Sequence, residues 1–219
     1  MYCGKWKFNI TDFPGEFVFD ASTDTELLRK ANAVVYVHDA QQNPKERSAQ
    51  ALIEIMQEAN RVNPDIFYTV FIHKVDSDMF NSEEQRDEVF NEFSMYVRDQ
   101  LRTADMNVQI AFYITSIFDH TVFEKMSLVV QRLFPFVEHL TSLMDHLVAS
   151  SRIEKAFLFD LVSKIYIATD PTPVDIQHFE ICSELIDVLI DVSCIYGDIE
   201  HQSDASGCTT IKLKTGEGT

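Results

Sequence analysis

Short apolar runs alternate with longer segments of helical periodicity over the first 135 residues. The runs are almost wholly apolar, which is typical of strands covered on both faces. Strands that alternate with helices in this way predict an α/β fold with a doubly wound parallel sheet. The predicted strands are residues 8–11, 33–37, 66–72 and 108–114, and the predicted helices are residues 46–60, 82–105 and 121–133.

The pattern changes after Pro135. A helical segment is followed by two apolar stretches that predict a hairpin, and then by a long amphipathic helix. Together these segments predict a second, α+β domain. We therefore predict domains of residues 1–135 and 136–219. The segments of the second domain are residues 136–150, 155–161 and 164–169, a long helix ending near Tyr196 and one more strand at 208–213.

Composition excludes several classes of protein. The chain has 219 residues, 46% of them hydrophobic, which is enough to bury ordered cores. With 18 basic against 35 acidic residues and a net charge of -17, we expect no nucleic-acid binding. No apolar run reaches the ~18 residues of a membrane span and no leader is evident, so we expect no direct membrane insertion. The cysteines and histidines lack metal-site spacing, and we expect reduced thiols in the cytosol.

Residues suited to recognising a purine base follow the third predicted strand. His73-Lys74-Val75-Asp76 stands directly after the apolar run. The carboxylate of Asp76 can accept from both donors on the guanine edge while the stem of Lys74 lies along the ring, which adenine cannot satisfy. Taken alone, a solvated surface pair is an equally good interpretation of this pattern.

Two other predicted strands end in residues suited to a nucleotide. At 12–15, Asp12 suits a Mg²⁺ shell and Gly15 lets a backbone N–H approach a terminal phosphate. At 115–117, a loop with a small hydroxyl residue, Ser116, can bring a backbone N–H to the guanine carbonyl.

The carboxyl ends of parallel strands converge on one crevice, so we expect Asp12, Asp76 and Ser116 to face a common hollow. The sequence contains no G-x-x-x-x-G-K-[ST], so the backbone cradle that supplies most phosphate affinity is absent from it.

These segments resemble the Rag/Gtr branch of small GTPases, and its C/D type more than its A/B type. His73, where most GTPases have Asn, is characteristic of this branch. The resemblance rests on residues 12–15, 35–41, 62–65, 71–76 and 113–117 in the first half. In the second half, residues 153–160 and 163–169 look like the start of the family's roadblock domain, and residues 186–188 and 190–197 look like its dimerisation helix. The resemblance implies a partial GTPase-like domain followed by a partial roadblock/longin-like domain.

The resemblance also implies roles for individual residues. It implies a nucleotide site for GTP or GDP, a switch II segment that senses the γ-phosphate, and a dimerisation face. The nucleotide site comprises His73, Lys74, Asp76, Ser116 and Ile117. The switch II residues are Asp12 and Gly15, and Asp12 would hold Mg²⁺ through water in an intact protein. The dimerisation face comprises Phe179, Cys182, Ile186 and Leu189.

The function implied by the resemblance is amino-acid signalling. Members pair with an A/B-type Rag GTPase through their roadblock domains. The nucleotide states of the pair recruit the TOR kinase complex to the lysosomal or vacuolar surface, where a membrane-bound scaffold holds them. We therefore expect a cytoplasmic protein that reaches this membrane surface through its partners.

The sequence departs from the family pattern at both ends. It begins just before the strand leading into Asp12, without the phosphate loop, and stops before the last strands and helix of a roadblock domain. Glu16 stands where the family usually has a Gln that orients the attacking water. We therefore expect impaired nucleotide binding. The sequence predicts neither that this chain hydrolyses GTP nor that it does not.

Loss of the first strand has a consequence for the sheet. In the family's strand order, 2-3-1-4-5-6, that strand lies between the strand ending at Asp12 and the strand ending at Asp39. Two apolar edges are therefore expected to be exposed. Either these strands pair directly, or the chain alone is poorly soluble or partly molten.

Two other functions fit parts of the sequence. The chain could be a nucleotide-free dimerisation or interaction module that needs no cofactor, and the apolar face of its long helix could equally be plain intradomain core. An unrelated Rossmann-like enzyme is a third interpretation, although no G-x-G-x-x-G turn supports it.

Overall fold

A computed structural model describes residues 8–15, 25–76, 80–161 and 163–196. Helices and strands alternate through most of this range, as the sequence predicts. In chain order the elements are α1 (Thr25–Lys30), β1 (Ala33–Asp39), α2 (Lys45–Val62), β2 (Phe67–His73), α3 (Glu83–Thr103), β3 (Ile110–Thr115), α4 (Thr121–Leu133), α5 (Val137–Ser150), β4 (Phe157–Phe159), β5 (Tyr166–Thr169) and α6 (Ile176–Tyr196).

The first three strands form a parallel sheet in the order β1-β2-β3. The central strand, β2, is buried over six of its seven residues. Its register places His73 opposite Asp39 on one side and Thr115 on the other. The predicted α/β fold with a parallel sheet is thus confirmed, and the carboxyl ends of all three strands lie at one edge.

Helices cover both faces of this sheet. Side chains of β2 alternate between the faces, because successive residues of a strand point in opposite directions. Tyr68, Val70 and Ile72 join a core with α2 and α3, whereas Phe67 and Phe71 pack against α4. This burial on both faces explains why the sequence of β2 is a nearly continuous apolar run.

The predicted helices agree closely with the observed ones. The prediction of 121–133 coincides with α4, and those of 46–60 and 82–105 differ from α2 and α3 by one or two residues at each end. Ser82 and Gln85 form a capping box at the start of α3, each side chain binding the other residue's backbone N–H. The six-residue helix α1 was not predicted from the sequence.

The prediction of a strand at residues 8–11 is wrong. These residues are exposed and pair with no described strand, and the side chain of Ile10 is 76% exposed. An apolar run becomes a strand only when its backbone groups bond to a neighbouring edge. Direct pairing of this run with β1, one of the two alternatives given by the sequence, is therefore wrong as well.

The second part contains the predicted hairpin. Its strands β4 and β5 are antiparallel but shorter than the predicted stretches. The long helix α6 packs on the hairpin, with Phe179 against Tyr166 and Phe159. The roadblock/longin assignment and the boundary at 135/136 stay predictions. The turn residue Val162 and the strand predicted at 208–213 lie outside the described residues.

The hairpin is bonded to helix α4 of the first part. The backbone N–H of Tyr166 donates to Ser127 Oγ at 3.1 Å, and Gln131 Nε2 donates to the carbonyl of Tyr166 at 3.2 Å. Both Ser127 and Tyr166 are buried. At Tyr166, the edge of β5 that does not face β4 is thereby bonded to side chains of a helix, and no described strand pairs there.

Candidate functional site

The carboxyl edge of the parallel sheet brings together residues from the ends of three strands. His73 Nδ1 lies 2.9 Å from Thr115 Oγ1, which joins the end of β2 to the end of β3. Thr115 and Ser116 are fully buried, whereas Asp76 and Lys74 are exposed. The site therefore combines a buried polar floor with exposed charged groups.

Asp76 and Ser116 are in direct contact. Ser116 Oγ donates to Asp76 Oδ1 at 2.6 Å, which fixes the orientation of the exposed carboxylate. One oxygen of Asp76 is engaged by this bond, and a carboxylate has acceptor capacity on its other oxygen as well. The arrangement can receive a planar ligand that presents two adjacent donors, as the guanine edge does.

The loop after β3 is held by hydrogen bonds within itself. Ser116 N donates to Thr121 Oγ1 at 2.7 Å, and Phe118 N donates to Ser116 Oγ at 3.0 Å. Thr121 Oγ1 in turn donates to Asp119 Oδ1 at 2.6 Å. Within the described residues no hydrogen bond engages the backbone N–H of Ile117, whose side chain is 59% exposed. This N–H is the loop donor that could meet a carbonyl oxygen of a base.

Lys74 is held by the turn after β1. Its Nζ lies 2.6 Å from Asp39 Oδ2, and Gln41 Nε2 donates to its carbonyl at 3.2 Å. Lys74 has a φ of 65°, a left-handed conformation that is uncommon for a residue with a side chain. Burial alone would raise the pKa of Asp39, but hydrogen bonds from Lys74 and from Gln41 N outweigh it and lower that pKa below its usual value.

His38 lies behind this turn and is fully buried. Its ring stacks on Phe93 with centroids 3.9 Å apart, and its Nδ1 lies 2.9 Å from Ser48 Oγ. Nε2 is buried without a hydrogen-bond partner among the described residues. Burial lowers the pKa of His38 to about 4; the charge of Asp39 raises this pKa by a smaller amount, and the charge of Lys45 lowers it further. The ring is therefore neutral at physiological pH.

Asp12 and Gly15 lie in the exposed segment of residues 8–15, and no described hydrogen bond or ion pair joins Asp12 to the carboxyl edge of the sheet. An added Cβ at Gly15 would meet no heavy atom within 4 Å. In the part of the chain that the structure describes, no three His, Cys, Asp or Glu side chains are grouped for a metal ion. The described residues thus bring Asp76 and Ser116 together but do not assemble a Mg²⁺ donor set. Glu16 lies outside them.

The residues predicted for dimerisation lie on the inner side of α6. Phe179 and Ile186 are buried, and Cys182 and Leu189 are partly buried. Burial raises the pKa of the Cys182 thiol. The opposite face of the helix is apolar and exposed, at Ile181, Val188, Val192 and Ile195. No described helix is both long and apolar enough to cross a bilayer.

Several residues of the site were not identified from the sequence. Asp39, Gln41 and Thr121 each bond to a predicted site residue. A Thr at the first position of a predicted helix was the available signal for Thr121, because such residues bond to nearby backbone groups. Partners across strands, such as Asp39, depend on sheet register and carry no local signal.

Comparisons with known proteins identify the family of this chain. The Gtr1/RagA G protein conserved region matches residues 1–186. Human Ras-related GTP-binding protein C is 47% identical over 215 residues, covering 94% of this chain and 52% of that protein. GTP-binding protein gtr2 of Schizosaccharomyces pombe is 43% identical over 195 residues, covering 87% of this chain and 60% of that protein.

The A-type relatives are more distant. Ras-related GTP-binding protein A of Dictyostelium discoideum is 23% identical over 191 residues, covering 84% of this chain and 61% of that protein. This chain spans about half the length of the C-type relative that it matches. The chain belongs to the Gtr1/RagA family of G proteins and, within that family, is of the Rag C/D type.

Proposed function

We propose that this chain supplies the guanine-recognising and pairing parts of a Rag C/D-type G protein. Asp76, fixed by Ser116, selects guanine, the N–H of Ile117 binds the base carbonyl, and the stem of Lys74 lies along the ring. The observation that carries this assignment is the 2.6 Å hydrogen bond between Ser116 and Asp76, made across the ends of two neighbouring strands. When bound with Mg²⁺, GTP or GDP would define the two signalling states of the protein.

Membership of the family supports a proposal for the wider role. We propose that the whole protein pairs with an A/B-type Rag GTPase and that the pair signals amino-acid sufficiency to the TOR kinase complex. It would reach the lysosomal or vacuolar surface through a scaffold rather than by insertion. Asp12 and Gly15 would sense the γ-phosphate and metal in a form that also carries a phosphate loop.

Base contacts without a phosphate cradle give weak binding, so we expect impaired nucleotide affinity. Guanine contacts alone should yield a Kd of roughly 1 mM, because the entropy lost on association offsets much of their energy. Titration with GDP, GTP and ATP, followed by ligand-observed NMR at low protein concentration, tests this proposal. We expect both guanine nucleotides to bind and ATP not to bind.

Two variants sharpen the titration. Asp76→Asn replaces one carboxylate oxygen by an amide donor and should abolish the preference for guanine. Asp99→Asn removes a charge of the same kind from an exposed ion pair on α3 and should leave binding unchanged. Equal binding of GDP and ATP by the unmodified chain would contradict the assignment.

A nucleotide-free interaction module is the second candidate. The exposed apolar stripe of Ile181, Val188, Val192 and Ile195 on α6 favours it, because these residues recur on one helix face. Co-elution with an A/B-type Rag in size-exclusion chromatography, lost in Val188→Asp, would support pairing through this face. A guanine-nucleotide Kd below roughly 1 μM would exclude the nucleotide-free reading.

A further inference from the structure

Two contacts tie Lys74 to the turn that follows β1, and a third lies within that turn. Lys74 Nζ lies 2.6 Å from Asp39 Oδ2, Gln41 N donates to Asp39 Oδ1 at 3.0 Å, and Gln41 Nε2 donates to the carbonyl of Lys74 at 3.2 Å. These contacts close a ring through Asp39, Gln41 and Lys74. Both the ammonium group and the backbone of Lys74 are therefore fixed by one short turn.

The backbone of Lys74 needs such support. Its φ of 65° lies in the left-handed region, which a residue with a Cβ adopts only when surrounding contacts favour it. The bond from Gln41 holds the carbonyl that follows this φ. Because Val75, the next residue, is buried, the chain on the other side of Lys74 is fixed as well.

The direction in which the ammonium is held is relevant to base binding. The strand order β1-β2-β3 puts Asp39 on one side of β2 and Ser116 on the other. Asp39 thus draws the charge of Lys74 away from the side on which Asp76 and Ser116 meet. A lysine stem covers apolar surface while its charged end stays in water or meets a counter-charge, and Asp39 supplies the counter-charge here.

From these contacts we propose that Asp39 and Gln41 are positioning residues for Lys74 in guanine binding. They contact the lysine rather than the ligand and hold its stem in the place where a base would lie. This inference rests on the proposed function, since it deepens the role of the same site. The lowered pKa of Asp39 agrees with it, because the carboxylate stays ionised at neutral pH.

The test compares GMP affinities by ligand-observed NMR. Asp39→Asn retains the side-chain shape but removes the charge, and we expect the Kd for GMP to rise two- to fivefold, the range of an exposed ion pair. Asp39→Glu should recover at least half of this loss. Asp99→Asn, which also breaks an exposed ion pair, should bind GMP like the unmodified chain. In 1 M salt the unmodified chain should approach Asp39→Asn, because exposed pairs are screened.

Each outcome decides the matter. Gln41→Ala, which leaves every charge in place, should also weaken GMP binding. This variant provides the test if Asp39→Asn does not fold. Unchanged GMP affinity in a folded Asp39→Asn or Gln41→Ala variant overturns the inference while the proposed function stands. If the unmodified chain binds GMP no better than AMP, the proposed function fails and the positioning role is overturned with it.

Discussion

Asp170 is an almost completely buried carboxylate, 1% exposed, at the end of β5. It accepts hydrogen bonds from Ala156 N and Thr172 N, both at 3.0 Å, and pairs with Lys155 at 3.2 Å. Burial alone would raise its pKa, but these bonds outweigh burial and lower the pKa well below its usual value. Asp170 thus joins the start of the hairpin to its end.

Replacing Asp170 by Asn should destabilise the hairpin by about 2–4 kcal/mol. The amide offers one acceptor oxygen instead of two, and it leaves the partly buried Lys155 without its counter-charge. Chemical denaturation measures the loss, and Asp99→Asn on the exposed face of α3 should change stability by less than about 0.5 kcal/mol. Since the folded pKa of Asp170 is depressed, its contribution is present above its unfolded pKa near 3.8 and should disappear as the pH falls below that value. Equal stability of the two Asn variants would contradict this role.

His38 should make the first part sensitive to mild acid. Its folded pKa, about 4, lies below its unfolded value of 6.5, so the unfolded state binds the proton first as the pH falls. Stability from this group is present above pH 6.5 and should fall by about 2 kcal/mol between pH 7 and pH 5. The groups around the ring are Ser48, Phe93, Asp39 and Lys45.

Denaturation of the unmodified chain and His38→Phe at pH 7 and pH 5 measures this effect. The Phe ring can stack on Phe93 but cannot take up a proton. The unmodified chain should lose more stability than the variant between the two pH values. Identical losses would show that His38 does not titrate in this range.

The sequence predicted those site residues that a local pattern marks. Lys74, Asp76 and Ser116 stand at the ends of apolar runs, and the structure places Asp76 and Ser116 in contact. Asp39 could not be assigned in this way. Its contact with Lys74 joins residues 35 positions apart and exists only because β1 and β2 are in register.

At the scale of elements, α4 links the candidate site to the second part of the chain. Its first residue, Thr121, accepts from the backbone of Ser116 in the base loop. Two turns further on, Ser127 accepts from the backbone of Tyr166 in the hairpin. A single helix therefore contacts both the site and the β5 edge.

Ser127→Ala should destabilise this junction by about 1–3 kcal/mol. The substitution leaves the buried N–H of Tyr166 without its acceptor, and an unsatisfied buried donor costs its full desolvation penalty. Ser142→Ala, at an exposed position on α5, is the matched control and should be neutral. Hydrogen exchange at the amide of Tyr166 should accelerate in Ser127→Ala alone; unchanged exchange would count against the junction.

Helices and strands could be predicted from the sequence when the interactions that define them are local. The capping box of Ser82 and Gln85 defines the start of α3 within the chain itself. Residues 8–11 failed as a strand because strand formation depends on a partner edge, which no local pattern reports. The bonding of β5 to α4 was likewise not predictable, since it depends on how two parts of the chain pack.

At the scale of the whole molecule, β1 is an edge strand of the described sheet. Strand β2 pairs with one side of it, and no described strand pairs with the other. Val37 on this strand is 58% exposed. Exposed apolar edges favour pairing between chains, so we expect the isolated chain to aggregate as its concentration rises.

Val37→Lys should reduce this aggregation, because a charge on an edge strand opposes pairing with a second chain. Light scattering over a concentration series measures the effect. Met95→Lys introduces the same charge at an equally exposed position on α3 and should not reduce aggregation. A monomer that melts in one sharp, cooperative transition would contradict the expected poor solubility.

Recognition of guanine by Asp76 is tested most directly by comparing GMP with IMP, which lacks only the 2-amino group of the base. In the proposed complex, guanine donates to both carboxylate oxygens of Asp76, one of which also accepts from Ser116. A hydrogen bond to a charged group contributes about 1.5 kcal/mol or more. GMP should therefore bind roughly tenfold more tightly than IMP. Ligand-observed NMR of both nucleotides gives the ratio, and Ser116→Ala, which frees the carboxylate to rotate, should reduce it. Equal affinities for GMP and IMP would show that Asp76 does not read the base.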